Sequence, residues 1–483
     1  MQIKAFRLKN IGRFEVLDAD FTKIDGSIAQ VIVLIGNNGA GKTTILKSLS
    51  GSLELFIRRL RSEKSVASKI KDIEINNAAK IASIGIDVED QSFPSNPSPT
   101  YSWTRAGARA GMLKSERPQN DQLNQLAHHY RDALTQQESF CLPLIAYYPV
   151  ERSVTETPLK ARNEPPFPQL QGYQGAADSS IDFTRFFQWF RDREDHENEL
   201  KASSVLDRKK LLDILGNRQP LTLHPGADSE EFNAAVHEYN KQLEDFHAKL
   251  ISMPLDTPLA GNPIKDVQLD AVRHAIESFI PEFKNLRIQR KPYLKMLVDK
   301  EGQTLDILQL SQGEKSLMAL IGDIARRLAM LNPGLEQPLL GKGVVLIDEI
   351  DMHLHPKWQR GIAQQLTTVF PQCQFILTTH SPLVISDIKD SVIFSLDNGK
   401  LSKVASQFGQ DANSVLLDVM DTAVRNIHVD AQLNDLYDAI HDRDLEKARH
   451  LLAGLENDLP SSNLELAKAK LMLRKQELRL EKN

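Results

Sequence analysis

One stretch restricts this chain more than any other. Gln30–Ile35 reads as a strand whose apolar run, Val31–Ile35, is covered on both faces. It passes directly into Gly36-Asn37-Asn38-Gly39-Ala40-Gly41-Lys42-Thr43, and Thr43–Leu55 behind it is helix-like. Strand, glycine-rich turn and helix in succession match G-x-x-x-x-G-K-[ST]. Glycines let consecutive backbone N–H groups point inward around phosphate oxygens, where Cβ atoms would obstruct them. The helix presents its positive end to the anion. A glycine turn that binds nothing is the competing reading, and the flanking strand and helix argue against it.

The expected ligand is ATP with Mg²⁺, held by Asn37, Asn38, Gly39, Gly41, Lys42, Thr43 and Thr44. Lys42 would reach the β- and γ-phosphates, and the Thr43 hydroxyl would bind the metal. A second apolar strand, Gly343–Ile347, ends in Asp348 and Glu349. Neighbouring parallel strands place their C-terminal ends along one edge. Asp348 is then expected in the Mg²⁺ shell and Glu349 as the base that orients and deprotonates water. Alternation along a strand would send the two acids to opposite faces, one for each task. Two solvated acids at a strand end are the bland alternative, and the glycine-rich loop is what tips the balance.

Leu310-Ser311-Gln312-Gly313-Glu314-Lys315-Ser316 precedes a helical stretch, Leu317 to about Ala329, with Ser311 a plausible cap. It resembles the signature loop of ABC-type ATPases, most closely the SMC and RecF-like form. The resemblance implies that Ser311, Gly313 and Glu314 meet the nucleotide bound by another protomer, so that a homodimer forms through the heads, with higher oligomers open. Gln374-Phe375-Ile376-Leu377-Thr378-Thr379-His380 resembles the strand ending in the switch histidine, which implies a catalytic role for His380. The likeness covers residues 1 to about 150 and 300 to about 395. Transporter ATPases are shorter than the roughly 270 residues separating loop and signature here. The implied fold is α/β: an ABC-ATPase head with a mixed or parallel sheet and flanking helices, a helical insertion and a helical C-terminal region.

The chain departs from that pattern in two places. No Gln follows Leu144–Tyr148, where the family has one, and either Glu151 or Arg152 could substitute. After the acidic pair comes His353-Leu354-His355-Pro356, which resembles OLD-type antiphage ATPases. His353 and His355 lack an evident third metal ligand, so an interfacial loop is the sufficient reading. Neither a Toprim nor an H-N-H nuclease motif is evident. The Phe183–Glu199 stretch, FTRFFQWFRDREDHENE, is similar to that of the PtuA family of Septu-type antiphage systems, which also accompanies some retrons. That similarity implies a separately encoded HNH nuclease subunit, with nucleic acid engaged through the complex.

Composition sets the bounds. The 483 residues suffice for two or three domains. Lys and Arg number 59 against 64 Asp and Glu, a net charge of −5, which opposes a DNA-coating role. The cluster Arg58, Arg59, Arg61, Lys64, Lys69 and Lys71 is the best support for a rival, a RecF-like DNA-repair ATPase, although a solvated face explains it too. A nucleotide-sensing scaffold with negligible turnover is the other rival. Cys141 and Cys373 are too few for a disulfide framework, and the longest apolar runs are too short for a membrane, so a soluble cytoplasmic protein is expected. The expected segments are residues 1–153 (loop-bearing lobe), 154–283 (linker and helical insertion), 284–404 (signature lobe) and 405–483 (helical). Residues 91–120, carrying Pro, Ser, Gly and Asn, are expected to be loop.

Overall fold

Alternating apolar residues build the first sheet. Strands β1 (Gln2–Ile11), β2 (Phe14–Asp20), β4 (Ile81–Glu89) and β5 (Thr100–Ala108) pair antiparallel in the order β2-β1-β4-β5. Continuous apolar runs build the second. Strands β3 (Val31–Gly36), β6 (Leu144–Tyr148), β10 (Gly343–Ile347), β11 (Cys373–Thr378), β12 (Ser391–Asp397) and β13 (Lys400–Val404) run in the order β13-β12-β3-β11-β10-β6. All pairings in that sheet are parallel except β12 with β13. A third, antiparallel sheet holds β7 (Phe283–Gln289), β8 (Lys295–Lys300) and β9 (Gln303–Asp306). This computed structural model describes residues 1–65, 68–93, 99–111, 118–137, 139–150, 168–176, 183–216, 229–251, 265–420 and 422–480.

The helices are α1 (Lys42–Arg61), α2 (Asp121–Gln136), α3 (Phe183–Gly216), α4 (Ser229–Ile251), α5 (Val267–Phe279), α6 (Gln312–Leu331), α7 (Pro356–Gln359), α8 (Ile362–Val369), α9 (Pro382–Asp387), α10 (Ala412–Asp418), α11 (Ile427–His441), α12 (Leu445–Asp458) and α13 (Leu464–Leu480). Contacts divide the chain into two units, Met1–Ser406 and Gln407–Asn483. Within the second, α11, α12 and α13 enclose a small core of Leu433, Leu436, Ile440, Leu455, Leu466 and Leu473. Among the described residues no helix is long and apolar enough to cross a membrane.

Residues 91–120 are not all loop, because β5 runs through them. Tyr101, Trp103 and Arg105 alternate inward, and the Trp103 indole donates to Ser52 O of α1 at 3.0 Å. Turn-rich flanks hid a strand whose aromatic alternation was the usable signal. The first two sheets are stitched by Gln374, which is fully buried. Its amide donates to the carbonyls of Ile3 and Ala29 and accepts from Ile3 N. A buried amide with this many partners is satisfied rather than costly.

Phe183, Phe186, Phe187 and Phe190 recur at the spacing of one helix face, which predicts a buried stripe, and α3 buries all four together with Trp189. Each buried large apolar side chain stabilises by about 1.5–3 kcal/mol. The charged half of the same stretch locks the helix down. Glu194 accepts from Arg273 of α5 (2.9 Å), Arg290 (2.9 Å) and Ile288 N, and Glu197 accepts from Arg273 (3.1 Å). Phe186 meets α6 at Gly322, where an added Cβ would come within 2.8 Å of its ring.

Candidate active site

Register positions the site. In the parallel sheet β11 lies between β3 and β10, with Thr378 opposite Leu34 and Leu377 opposite Ile347. The glycine-rich loop, the acidic pair and Thr378–His380 therefore leave one edge side by side. Gly36 and Gly41 take φ values of +147° and +108°. A Cβ at Gly36 would sit 2.4 Å from the Leu396 carbonyl oxygen, and one at Gly41 would sit 2.5 Å from the Phe14 ring. Both positions demand glycine on conformation and on space. Gly39 also has positive φ, +76°, and its carbonyl accepts from Arg13 at 2.6 Å.

Lys42 is buried at the start of α1. Its ammonium donates to the carbonyls of Gly36 (2.7 Å) and Asn37 (3.3 Å) and lies 2.8 Å from His380 Nε2. Burial lowers the Lys42 pKa, opposed by the Glu349 and Asp348 carboxylates. Burial and then the Lys42 charge lower that of His380. A charged Lys42 at this distance requires an accepting Nε2, which puts the imidazole proton on Nδ1.

Asp348 is buried and held from both sides. The Thr43 hydroxyl donates to its Oδ2 and the Thr378 hydroxyl to its Oδ1, each at 2.6 Å. Its N–H donates to the Tyr148 carbonyl of β6 at 2.8 Å. Strand alternation does not separate the two acids, contrary to expectation. β10 ends at Ile347, and Glu349 turns into the left-handed region at φ +45°. Its N–H donates to Thr378 Oγ1 at 2.7 Å. A tight turn beyond the strand, with Thr378 binding both residues, divides the pair. Asp351 then pins the facing loop, accepting from Thr379 Oγ1 (2.5 Å) and His380 N (3.3 Å).

The signature residues form a second cluster. Ser311 caps α6 in a capping box with Glu314. The Glu314 carboxylate accepts from Ser311 N (2.9 Å), Ser311 Oγ (2.7 Å) and Lys300 Nζ (2.6 Å). A Cβ at Gly313 would lie 2.5 Å from the His353 carbonyl, so the signature turn rests on the HLHP run. His355 caps α7, its Nδ1 accepting from Lys357 N. Among the described residues no group of His, Cys, Asp or Glu could hold a metal ion on its own.

Thus Lys42, Thr43, Asp348, Glu349 and His380 converge, whereas Ser311, Gly313 and Glu314 gather around Lys300 and His353. Asn37, Asn38 and Thr44 belong to the loop and the first turn of α1. Glu151 and Arg152 lie outside the described residues. Thr378, Asp351 and Tyr148 escaped the sequence reading. Hydroxyl residues closing an apolar strand beside an acidic strand end were the signal for Thr378. The three arginines of the basic cluster are engaged within the chain: Arg58 pairs with Glu54 (2.7 Å), Arg59 donates to Glu63 O, and Arg61 donates to Leu170 O.

A mostly parallel sheet that gathers a glycine-rich loop, a clamped acidic strand end and a serine-capped helix is the arrangement of a P-loop ATPase. The family described as "AAA domain" matches residues 6–250, and a second AAA-domain family matches residues 163–386. The "Retron Vc95 probable ATPase" of Vibrio cholerae serotype O1 biovar El Tor is 32% identical over 436 residues, 86% of this chain and 79% of that protein. The chain belongs to this family of AAA-domain ATPases, which includes the retron protein. The "Septu protein PtuA" of Bacillus mycoides (strain KBAB4) is 37% identical over 236 residues, 42% of this chain and 32% of that protein. Among solved structures, an SMC head bound to the C-winged helix domain of ScpA aligns with a TM-score of 0.42 and 16% identity, covering 84% of this chain and 98% of that one.

Proposed function

We propose that this ATPase binds ATP with Mg²⁺ between the heads of two copies and controls a separately encoded HNH-type nuclease in antiphage defence. The observation that carries the nucleotide reading is the Thr43–Asp348–Thr378 clamp beside Lys42 and His380. The hydroxyl of Thr43 and the carboxylate of Asp348 are hard oxygen donors, the set that Mg²⁺ takes together with phosphate oxygens. The metal would neutralise phosphate charge. The N–H groups of residues 37–44 and the Lys42 ammonium would hold the phosphates. Glu349 would accept the proton of the attacking water, and His380, neutral and tied to Lys42, would steady that water. Ser311 and the Gly313 N–H would close the site from the partner copy.

Phosphate release by the full chain with ATP and Mg²⁺ tests the chemistry. Glu349→Gln should lower turnover by about 10²-fold or more, the range of a general base, while ATP still binds. Unchanged turnover would remove Glu349 from its role. Dimerisation is tested by sedimentation: Glu349→Gln with ATP should dimerise and Ser311→Arg should not. Support for the defence reading comes from the retron and PtuA relatives. Its test is co-purification with the product of the adjacent gene, and a chain that binds no nuclease would sink it.

A further inference from the structure

Helix α13 buries one face and, among the described residues, leaves another exposed. Leu466, Ala469 and Leu473 enter the core it shares with α11 and α12. On the far side Leu464 is 81% exposed, Leu471 74% and Leu478 43%. These three leucines recur every seven residues. Lys468 and Lys475, both exposed, follow the first two by four residues. Read together, Leu464, Lys468, Leu471, Lys475 and Leu478 step along the helix by four, three, four and three. That is the two-position seam of a coiled coil, with leucine at one position and lysine at the other. A purely solvated face would not repeat leucine at this period, and a self-sufficient core helix would not expose it.

The lysines decide what can cover the seam. Among the described residues neither forms an ion pair, whereas their neighbours Lys470 and Arg474 are matched to Glu456 (2.5 Å) and Glu477 (3.3 Å). A second copy packed in parallel would set each lysine against its own counterpart. Packed antiparallel, it would bury ammonium groups among leucines without counter-charge. Both arrangements carry a penalty that rejects self-pairing. A helix with leucine opposite leucine and a carboxylate opposite each lysine removes the penalty and adds attraction across the seam.

We propose that the exposed face of α13 is a docking seam for one amphipathic helix of a separate protein, bearing Glu or Asp interleaved with Leu at the same spacing. This deepens the reading above, on which it rests, by naming where the effector is held. The primary probe is a synthetic three-heptad peptide with Leu every seven residues and Glu four residues after each Leu, tested beside a counterpart with Lys in place of Glu. Fluorescence anisotropy on the full chain should show the Glu peptide binding at least tenfold more tightly than the Lys peptide. Leu471→Glu should abolish that binding, and Lys468→Glu with Lys475→Glu should reverse the preference. All the substituted side chains are exposed, so circular dichroism and ATP binding should be unchanged. Equal affinity for the two peptides, binding that survives Leu471→Glu, or self-association abolished by Leu471→Glu would each overturn the seam. The adjacent gene's product separates the two claims. A complex that persists in Leu471→Glu overturns the seam and spares the effector reading. No complex even with the unsubstituted chain overturns the effector reading, and the peptides then decide the seam alone.

Discussion

Replacing Asp323 with Asn would remove a negative charge from the interior of the signature helix and leave two buried guanidinium groups facing each other. Asp323 is almost wholly enclosed. Its Oδ1 accepts from Arg326 Nη2 (2.6 Å) and Nε (3.1 Å), and its Oδ2 accepts from Arg327 Nε (2.6 Å) and the Tyr148 hydroxyl (2.9 Å). Arg327 also donates to the carbonyls of Gly172 and Gln174. Burial by itself would raise the Asp323 pKa, yet the charges of Arg327 and Arg326 hold it far below the usual carboxylate value. Breaking such a buried pair by neutralising one partner costs about 3–5 kcal/mol, because the remaining charges stay desolvated. Urea unfolding of the full chain followed by circular dichroism, with hydrogen exchange of the α6 amides, would read the loss. Substituting Asp323→Leu, Arg326→Met and Arg327→Met together should recover most of it, since no unpaired charge then remains. The pH dependence follows from the sign. A carboxyl with a depressed folded pKa stabilises above its unfolded value, about 3.9, and loses that contribution as pH falls further. The unsubstituted cluster should therefore hold through pH 5 and weaken only below about pH 4. Tyr148 adds a functional arm, because its carbonyl also accepts from Asp348 N. Turnover should fall more than ATP affinity does. A cost below about 1 kcal/mol, or no gain in the triple variant, would refute the reasoning.

Gly41→Ala should abolish ATP binding with the fold retained, measured by nucleotide titration, since the Cβ would press to 2.5 Å from Phe14 at a φ of +108°. Thr378→Val should lower turnover by at least tenfold and also lower the melting temperature, because it leaves the buried Asp348 Oδ1 and the Glu349 N–H without their partner. His380 has a lowered pKa, so protonation favours the unfolded chain and stability should decline as pH drops below about 6.5. Lys42→Ala should move the His380 titration upward, which histidine NMR would detect. Gly322→Ala should cost about 1–3 kcal/mol by forcing Phe186 off α6, read as a lower denaturation midpoint.

The legible parts of this protein were those whose chemistry is written locally. A glycine-rich turn after an apolar strand, acids at a strand end and a serine opening a helix each carry their reason within a few residues. The buried stripe of α3 was equally plain, since helical spacing alone places Phe183, Phe186, Phe187 and Phe190 on one face. The roles of Glu194 and Glu197 were not legible, because their partners Arg273 and Arg290 lie more than seventy positions along the chain. Strand β5 was lost to the composition of its surroundings, although Tyr101 and Trp103 alternate within it.

By itself, then, the sequence determined that a phosphate-type loop, an acidic pair, a signature turn and a histidine exist and in what order. Only the tertiary structure decided how they meet. Parallel pairing of β3, β11 and β10 brings Thr43, Thr378 and Asp348 within hydrogen-bonding distance across 305 and 30 residues of chain. Register is a non-local property, set by which strands share the buried sheet, and no local pattern encodes it. The same limit hid Tyr148, whose carbonyl holds Asp348 while its hydroxyl holds Asp323. A side chain that serves two sites from a third strand becomes visible only when all three are packed together.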